Sequence, residues 1–307
     1  MSIDDALAAF RDGRHREAHD ALLTLQRDPA LRLDAAALAL LRDLNRVGRR
    51  AGVRRHRCLH RLCSRDDAPV VALRFAGGDT ALSGTTRGAL EVWSLSTGAR
   101  SGELPGHRGR ISAIAVASAA PVVVSVDERR HLRVWDLSTR QCRVHLDHSD
   151  YDDDVFKLMT VSHDGARGFS TDGIAQGYHW DLERGWLLGH FDLVTSGAPV
   201  QALFTPESRG AVYLEHQDGS WARLDMATDH IEATATPAVL DSTYRAEVVD
   251  ERVILRDPLP GDELLVLDGH QEPVLSAAIA PSEVMVLSGD AGGEIRVWEV
   301  DWELEFD

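Results

Sequence analysis

The chain has 307 residues, 33 basic against 49 acidic, and a formal net charge of −16, which is length for one large domain and a small one. Lys157 is the one lysine and no glycine-rich turn precedes it, so a P-loop, a kinase-type strand lysine and pyridoxal-phosphate chemistry are excluded. Cys58, Cys63 and Cys142 form no C-x-x-C pair, MSIDDALAAF has no basic and apolar leader, and no apolar run approaches about 18 residues; a cytoplasmic setting without membrane contact is expected.

Residues 1–48 are helical in pattern. IDDALAAFRDG reads as a first helix, capped at Ser2 or Asp4 and stopped at Gly13. RHREAHDALLTLQRDP is a second, with Ala18, Leu22 and Leu25 on one face and Pro29 beyond it; the Ala-rich run from Leu31 to Val47 is a third. The order Gly13, Ala18, Pro29 resembles a TPR hairpin, in which small residues let two helices approach. One such hairpin cannot bury its apolar face alone, so it must dock on the third helix, the rest of the chain or a partner.

Residues 49–65 read as a basic linker and a strand. From Arg46 to Arg65 the chain carries eight arginines and no acid. Such an arm suits nucleic acid or an acidic partner, with Arg49, Arg50, Arg54 and Arg55 as candidate contacts; alternatively its arginines lie on the protein's own acidic surface. Residues 1–65 carry a net +6 and residues 66–307 a net −22. That split favours the internal pairing, and so acidic a remainder repels phosphate backbones at long range. His56, Cys58, His60 and Cys63 suggest zinc. In an extended strand, however, His56 and His60 stand about 13 Å apart, so no metal is assigned.

From Ala68 onward the chain repeats. Ile111–Val116, Pro121–Val126 and His131–Leu137 read as three successive strands, with Gly106-His107 ahead of them and Trp135-Asp136 at the end. Trp93, Trp135, Trp180 and Trp298 each close an alternating run, and Ser83, Ser125, Ser170 and Ser288 stand ten residues before them. Leu224-Asp225 and Arg256-Asp257 fall at the same phase without the tryptophan.

A Gly-His, three strands and a Trp-Asp within about 40 residues resemble a WD40 repeat, one four-stranded blade of a propeller. The resemblance implies an all-β propeller over residues 66–300 behind a small helical N-terminal domain. At roughly 39 residues per blade it has six blades, with seven as the alternative. It also implies that His107, Ser125 and Trp135, and likewise His270, Ser288 and Trp298, are hydrogen-bonded packing elements and not a hydrolase triad. Carried over by position, the Asp of that set falls on Arg129 and Gly292 in these two blades and on Asp218 and Asp250 in the two lacking the tryptophan, leaving no blade complete. The strand at His56–Leu62 is spare, and pairing it with the last blade removes two open sheet edges.

Two acidic clusters remain. Asp150, Asp152, Asp153 and Asp154 lie in HSDYDDD, where a blade begins; their spacing does not match an EF-hand, and a partner-facing loop is expected. Residues 301–307 read as an acidic tail, with Trp302 and Glu303 as candidate partner contacts. It resembles the ends of bacterial WD40 arrays, where the propeller is a recognition module. The expected function is a non-enzymatic protein-interaction scaffold or regulatory module, without cofactor, whose partner presents a basic surface. The alternatives are a sensor binding a small ligand in the channel and an enzyme with an unrecognised inter-blade site.

Overall fold

The computed structural model describes residues 2–25, 28, 31, 33–147, 156–172, 176–193, 199–204, 210–228, 230–235, 244–257 and 261–306. Three helices open the chain: α1 (Ile3–Arg11), α2 (His15–Leu25) and α3 (Ala35–Val47). Ser2 and Asp5 form a reciprocal capping box on α1, and the Asp34 carboxylate accepts from the N–H groups of Ala36 and Ala37 at 2.9 and 3.0 Å. These caps start α1 and α3 where a side-chain oxygen can answer the first unpaired donors. None of these helices is long and apolar enough to cross a membrane.

A long strand, β1 (Arg49–Cys63), follows, and sheets succeed one another in chain order. The first is β2 (Val70–Phe75), β3 (Thr80–Thr85), β4 (Leu90–Ser94) and β5 (Ala99–Glu103). The second is β6 (Ile111–Val116), β7 (Val122–Asp127), β8 (His131–Asp136) and β9 (Gln141–Asp147). The third is β10 (Leu158–Val161), β11 (Arg167–Thr171), β12 (Gln176–Asp181) and β13 (Trp186–Asp192). The fourth is β14 (Pro199–Leu203), β15 (Ala211–His216), β16 (Trp221–Asp225) and β17 (His230–Thr234). A three-stranded sheet holds β18 (Arg245–Val249), β19 (Arg252–Arg256) and β20 (Glu263–Leu267). The last contains β21 (Val274–Ile279), β22 (Met285–Asp290) and β23 (Glu294–Glu305), with β1 on its outer edge, in the order β1-β23-β22-β21.

The sheets are antiparallel, and in the second, third and fourth the hairpin after the third strand is held by one carboxylate. Asp136 accepts from the N–H groups of Ser138 and Thr139, Asp181 from Glu183 and Arg184, and Asp225 from Ala227 and Thr228, all at 2.9–3.2 Å. The Asp of Trp-Asp thus serves the turn, and it serves equally after Leu224. This is an Asx turn, available to any sequence with Asp at that place.

The chain divides into two compact units. One comprises residues 1–82, 92–101 and 241–307, the other residues 83–91 and 102–240. In the first, α1–α3 bury Ala6, Ala18, Leu22, Leu41 and Leu44 together with Val284 and Phe306. Asn45 of α3 donates to the Ser282 carbonyl at 3.1 Å. The helices therefore dock on the β21–β22 hairpin and on Phe306, just beyond β23. In the second unit, Val124, Val134, Phe156 and Trp180 share one core, and Phe169, Val212, Leu214 and Leu224 share another.

The C-terminal acids do not form a separate tail, contrary to expectation. β23 runs on to Glu305 and pairs with β1 along its whole length, from Arg49 opposite Glu305 to Cys63 opposite Glu294. Val53 of β1 and Trp302, opposite each other, enter the core that holds Tyr244, Val286 and Trp298. A Trp that looked exposed in sequence is buried because β1 supplies the strand beside it.

Candidate functional site

The recurring His, Ser and Trp side chains meet in two sheets. His107 contacts Ser125 Oγ through Nε2 at 2.7 Å and Asp127 Oδ2 through Nδ1 at 3.0 Å, and Trp135 Nε1 donates to Ser125 Oγ at 2.8 Å. In the last sheet His270 meets Ser288 and Asp290 at 2.7 Å each, and Trp298 Nε1 donates to Ser288 at 2.8 Å. Trp180 donates to Ser170 at 2.9 Å. Trp93 and Ser83 are buried, and Ser83 Oγ lies 3.5 Å from Glu91 Oε2.

Both sets are complete, which corrects the assignment of the carboxylate to Arg129 and Gly292. The Asp is the last residue of the second strand, two positions earlier, because one oxygen must reach back to the His while the other closes the turn. Asp127 Oδ1 accepts from the N–H groups of Arg129 and His131, and Asp290 Oδ1 from those of Gly292 and Glu294, at 2.8–3.0 Å. The glycine before each His is required. Gly106 and Gly269 have φ of 138° and 123°, and a Cβ on either would collide with the guanidinium of Arg133 or Arg296. Those arginines donate to the Gly106 and Gly269 carbonyls and lie over the Trp135 and Trp298 rings at 5.9 and 5.6 Å.

Electrostatics follow the packing. Burial pushes the Asp127 carboxyl up, but its hydrogen bonds to His107 and His131 outweigh burial and hold it at about 2. Burial lowers the His270 pKa against the opposing pull of Asp290. Each imidazole is fixed between a carboxylate and a serine hydroxyl, and the indole donates to that same hydroxyl, so the set is a brace. The Ser and His are buried, so no substrate reaches them.

The candidate partner residues of β1 and β23 face one another. Arg49 pairs with Glu305, Arg50 with Glu283, Arg54 with Asp301, Arg57 with Glu299 and Arg61 with Glu294. The basic stretch is thus largely answered by the chain's own acids. The Glu294 carboxyl is held at about 2 by its hydrogen bond to Arg61, against burial and with help from Arg296. Arg50 goes inward: its guanidinium lies 4.9 Å from the Tyr244 ring and 4.8 Å from that of Trp302, beside the buried Glu283. Trp302, 3% exposed, donates through its indole to the Glu283 carbonyl at 2.8 Å, and Tyr244 Oη donates there at 2.9 Å. Trp302 therefore holds the C-terminal strand and offers no surface, whereas Glu303 is exposed. Asp150, Asp152, Asp153 and Asp154 lie outside the described residues.

The apolar surface lies elsewhere. Trp186 is 64% exposed, and Leu187 and Leu188 after it are exposed too. They open β13, the outermost strand of its sheet. The pairing with β12 shifts by one between His179–Gly189 and Trp180–Leu187, leaving Leu188 as an extra residue. Such a bulge turns consecutive side chains away from strict alternation. Val47, Val200 and Leu275, the other large apolar residues exposed among the described residues, stand singly.

Successive four-stranded antiparallel meanders behind three short helices, braced by Trp–Ser–His–Asp sets, define a WD40-like β-propeller fold. Residues 98–136 and 261–299, the stretches with the complete sets, match the WD domain, G-beta repeat family. Over 121 residues the chain is 24% identical to CCR4-associated factor 4 of Saccharomyces cerevisiae (strain ATCC 204508 / S288c); the likeness covers 34% of this chain and 19% of that protein.

Proposed function

We propose that this protein is a non-enzymatic interaction scaffold whose sheets carry a rigid contact surface on β13. One observation carries this reading: Trp186, Leu187 and Leu188 are exposed together on an outermost strand. Leaving a Trp and two Leu partly exposed forgoes a part of the ~1.5–3 kcal/mol that full burial of a large apolar side chain is worth, and exposed apolar clusters that include a Trp mark partner surfaces. The buried His–Ser–Asp sets serve the sheets, which supports a role without turnover.

The proposed architecture has six blades, with β1 completing the last and residues 1–48 forming a docked, TPR-like helical cap. The net −22 of residues 66–307 favours a partner whose surface around the apolar contact is basic. The free thiols of Cys58, Cys63 and Cys142 support a cytoplasmic setting. CCR4-associated factor 4 is named for an association, in keeping with this class of role.

The experiment places a photo-crosslinking amino acid at position 186, and separately at the exposed Leu275, in the source cell. Position 186 is expected to capture one discrete protein that position 275 does not. Identical products from both positions, or none from position 186, would refute the assignment.

A further inference from the structure

The two complete His–Ser–Asp–Trp sets share a backbone geometry but not a surface. His107 and Asp127 correspond to His270 and Asp290. Arg108 and Arg110 therefore stand where the last sheet has Gln271 and Pro273, and Arg129 and Arg130 where it has Gly292 and Gly293. In both sheets the Asp Oδ1 accepts from the backbone N–H two residues on, at 3.0 Å. The brace needs arginine at none of these four places.

Arg130 is held at a steric cost. Its φ is 64°, in the left-handed region where a Cβ crowds the backbone. In four sheets the residue at this turn position donates its N–H to the carbonyl three residues earlier, at 2.9–3.3 Å: Gly88, Arg130, Gly219 and Gly293. The three glycines have φ of 82°, 80° and 85° and pay nothing for it. Only the second sheet of these puts a side chain there, and strain kept in a braced turn points to a use for that side chain.

The turn and the link before β6 lie together. The Glu128 N–H donates to the Arg110 carbonyl at 2.8 Å, and a Cβ on Gly109 would stand 3.0 Å from the Glu128 carboxylate. Arg108, Arg110 and Arg129 are exposed and Arg130 is half-buried. Among the described residues none of their guanidinium groups makes a hydrogen bond or an ion pair within 4 Å, and neither does the Glu128 carboxylate. From Leu104 to Trp135 the chain carries five arginines against two acids, of which Asp127 is buried in the brace. Charges beyond about 8 Å are largely screened at physiological salt, so this local excess, and not the −16 of the whole chain, sets the potential here.

We infer that this end of the second sheet is a docking surface for an acidic segment of a partner protein, whose carboxylates meet the guanidinium forks of Arg108, Arg110, Arg129 and Arg130. The brace fixes the link through His107 and the turn through Asp127, so the four side chains start from a rigid backbone. A long polyanion is disfavoured, because beyond the patch it meets a chain of net −16. The surface lies apart from β13 in sequence and does not rest on the role given to Trp186.

The test uses the full chain and a fluorescein-labelled peptide of alternating glutamate and serine, read by fluorescence anisotropy beside its glutamine–serine counterpart. Inorganic phosphate and a single-stranded oligonucleotide serve as competitors. The glutamate peptide is expected to bind saturably, at least about tenfold more tightly than the glutamine peptide, with both competitors poor. Arg108→Gln combined with Arg110→Gln should weaken binding by at least about tenfold, whereas Arg61→Gln and Trp186→Ala leave it unchanged. Arg130→Gly separates use from packing: binding should weaken while the melting temperature holds or rises, since glycine relieves the turn. No saturable binding, equal binding of the two peptides, or displacement by phosphate or the oligonucleotide as strong as by unlabelled glutamate peptide would each overturn the proposal. So would indifference to the double change or to Arg130→Gly.

Discussion

Arg49 and Arg50 are neighbours on one strand, both arginines, both paired with a glutamate, yet their replacement by alanine should cost very different amounts. The Arg49–Glu305 pair is in water on both sides, and an exposed pair contributes about 0–1 kcal/mol. The side chains of Arg50 and Glu283 are 14% and 2% exposed. Removing Arg50 strips the buried carboxylate of its cation, which costs about 3–5 kcal/mol when one partner of a buried pair is lost. The two ring contacts, to Tyr244 and Trp302, contribute about 0.5–2 kcal/mol each when desolvated, and they are not additive with the pair. Arg50→Ala is therefore expected to destabilise by at least about 3 kcal/mol and Arg49→Ala by under about 1. The assay is equilibrium urea denaturation followed by tryptophan fluorescence, since Trp302 reports directly on this cluster. Arg50→Met combined with Glu283→Gln removes both charges and should recover a large part of the loss. Equal midpoints for Arg49→Ala and Arg50→Ala would refute the claim that β1 is anchored through this buried cluster.

Three further outcomes follow from the packing. Trp135→Ala empties a fully buried site and removes the donor to Ser125, so a loss of about 3–5 kcal/mol in denaturant melts is expected. Asp127 titrates at 3.8 in an unfolded chain and at about 2 in the fold; its stabilisation is complete above 3.8 and lost as pH falls through about 2. Asp127→Asn should therefore flatten the acid limb of the stability curve in that window. Deleting residues 1–48 should lower the melting temperature much less than deleting 1–63, because only the second removes β1 and exposes the paired edge of β23.

The repeat was legible because its markers are periodic: Trp at the end of the third strand and Ser ten residues earlier fix the phase without any structure. The Asp of the set was misplaced by two residues because it was sought within the turn. Its task requires the last residue of the strand, from which one oxygen reaches His107 and the other the turn. The charge split between residues 1–65 and the remainder indicated that the basic stretch is answered internally. How closely each arginine approaches its acid depends on the bulge at Arg54, and a bulge is set by the register of two strands far apart in sequence. The exposure of Trp186 and the burial of Trp302, a candidate partner contact in the sequence, have one origin. Exposure follows from whether a further strand lies alongside, and only the pairing of β1 with β23 covers Trp302 while β13 remains outermost.

The most direct test of the scaffold reading is the affinity of the partner captured at position 186, purified and titrated against wild type and Trp186→Ala by calorimetry. Trp186 is exposed and outside the cores, so the variant should melt at the wild-type temperature. An exposed Trp at the centre of a contact is a hot spot of about 2 kcal/mol or more, which corresponds to at least about a thirtyfold weaker Kd. That loss with an unchanged melt is the predicted result. An unchanged Kd would contradict the account and remove β13 from the interface.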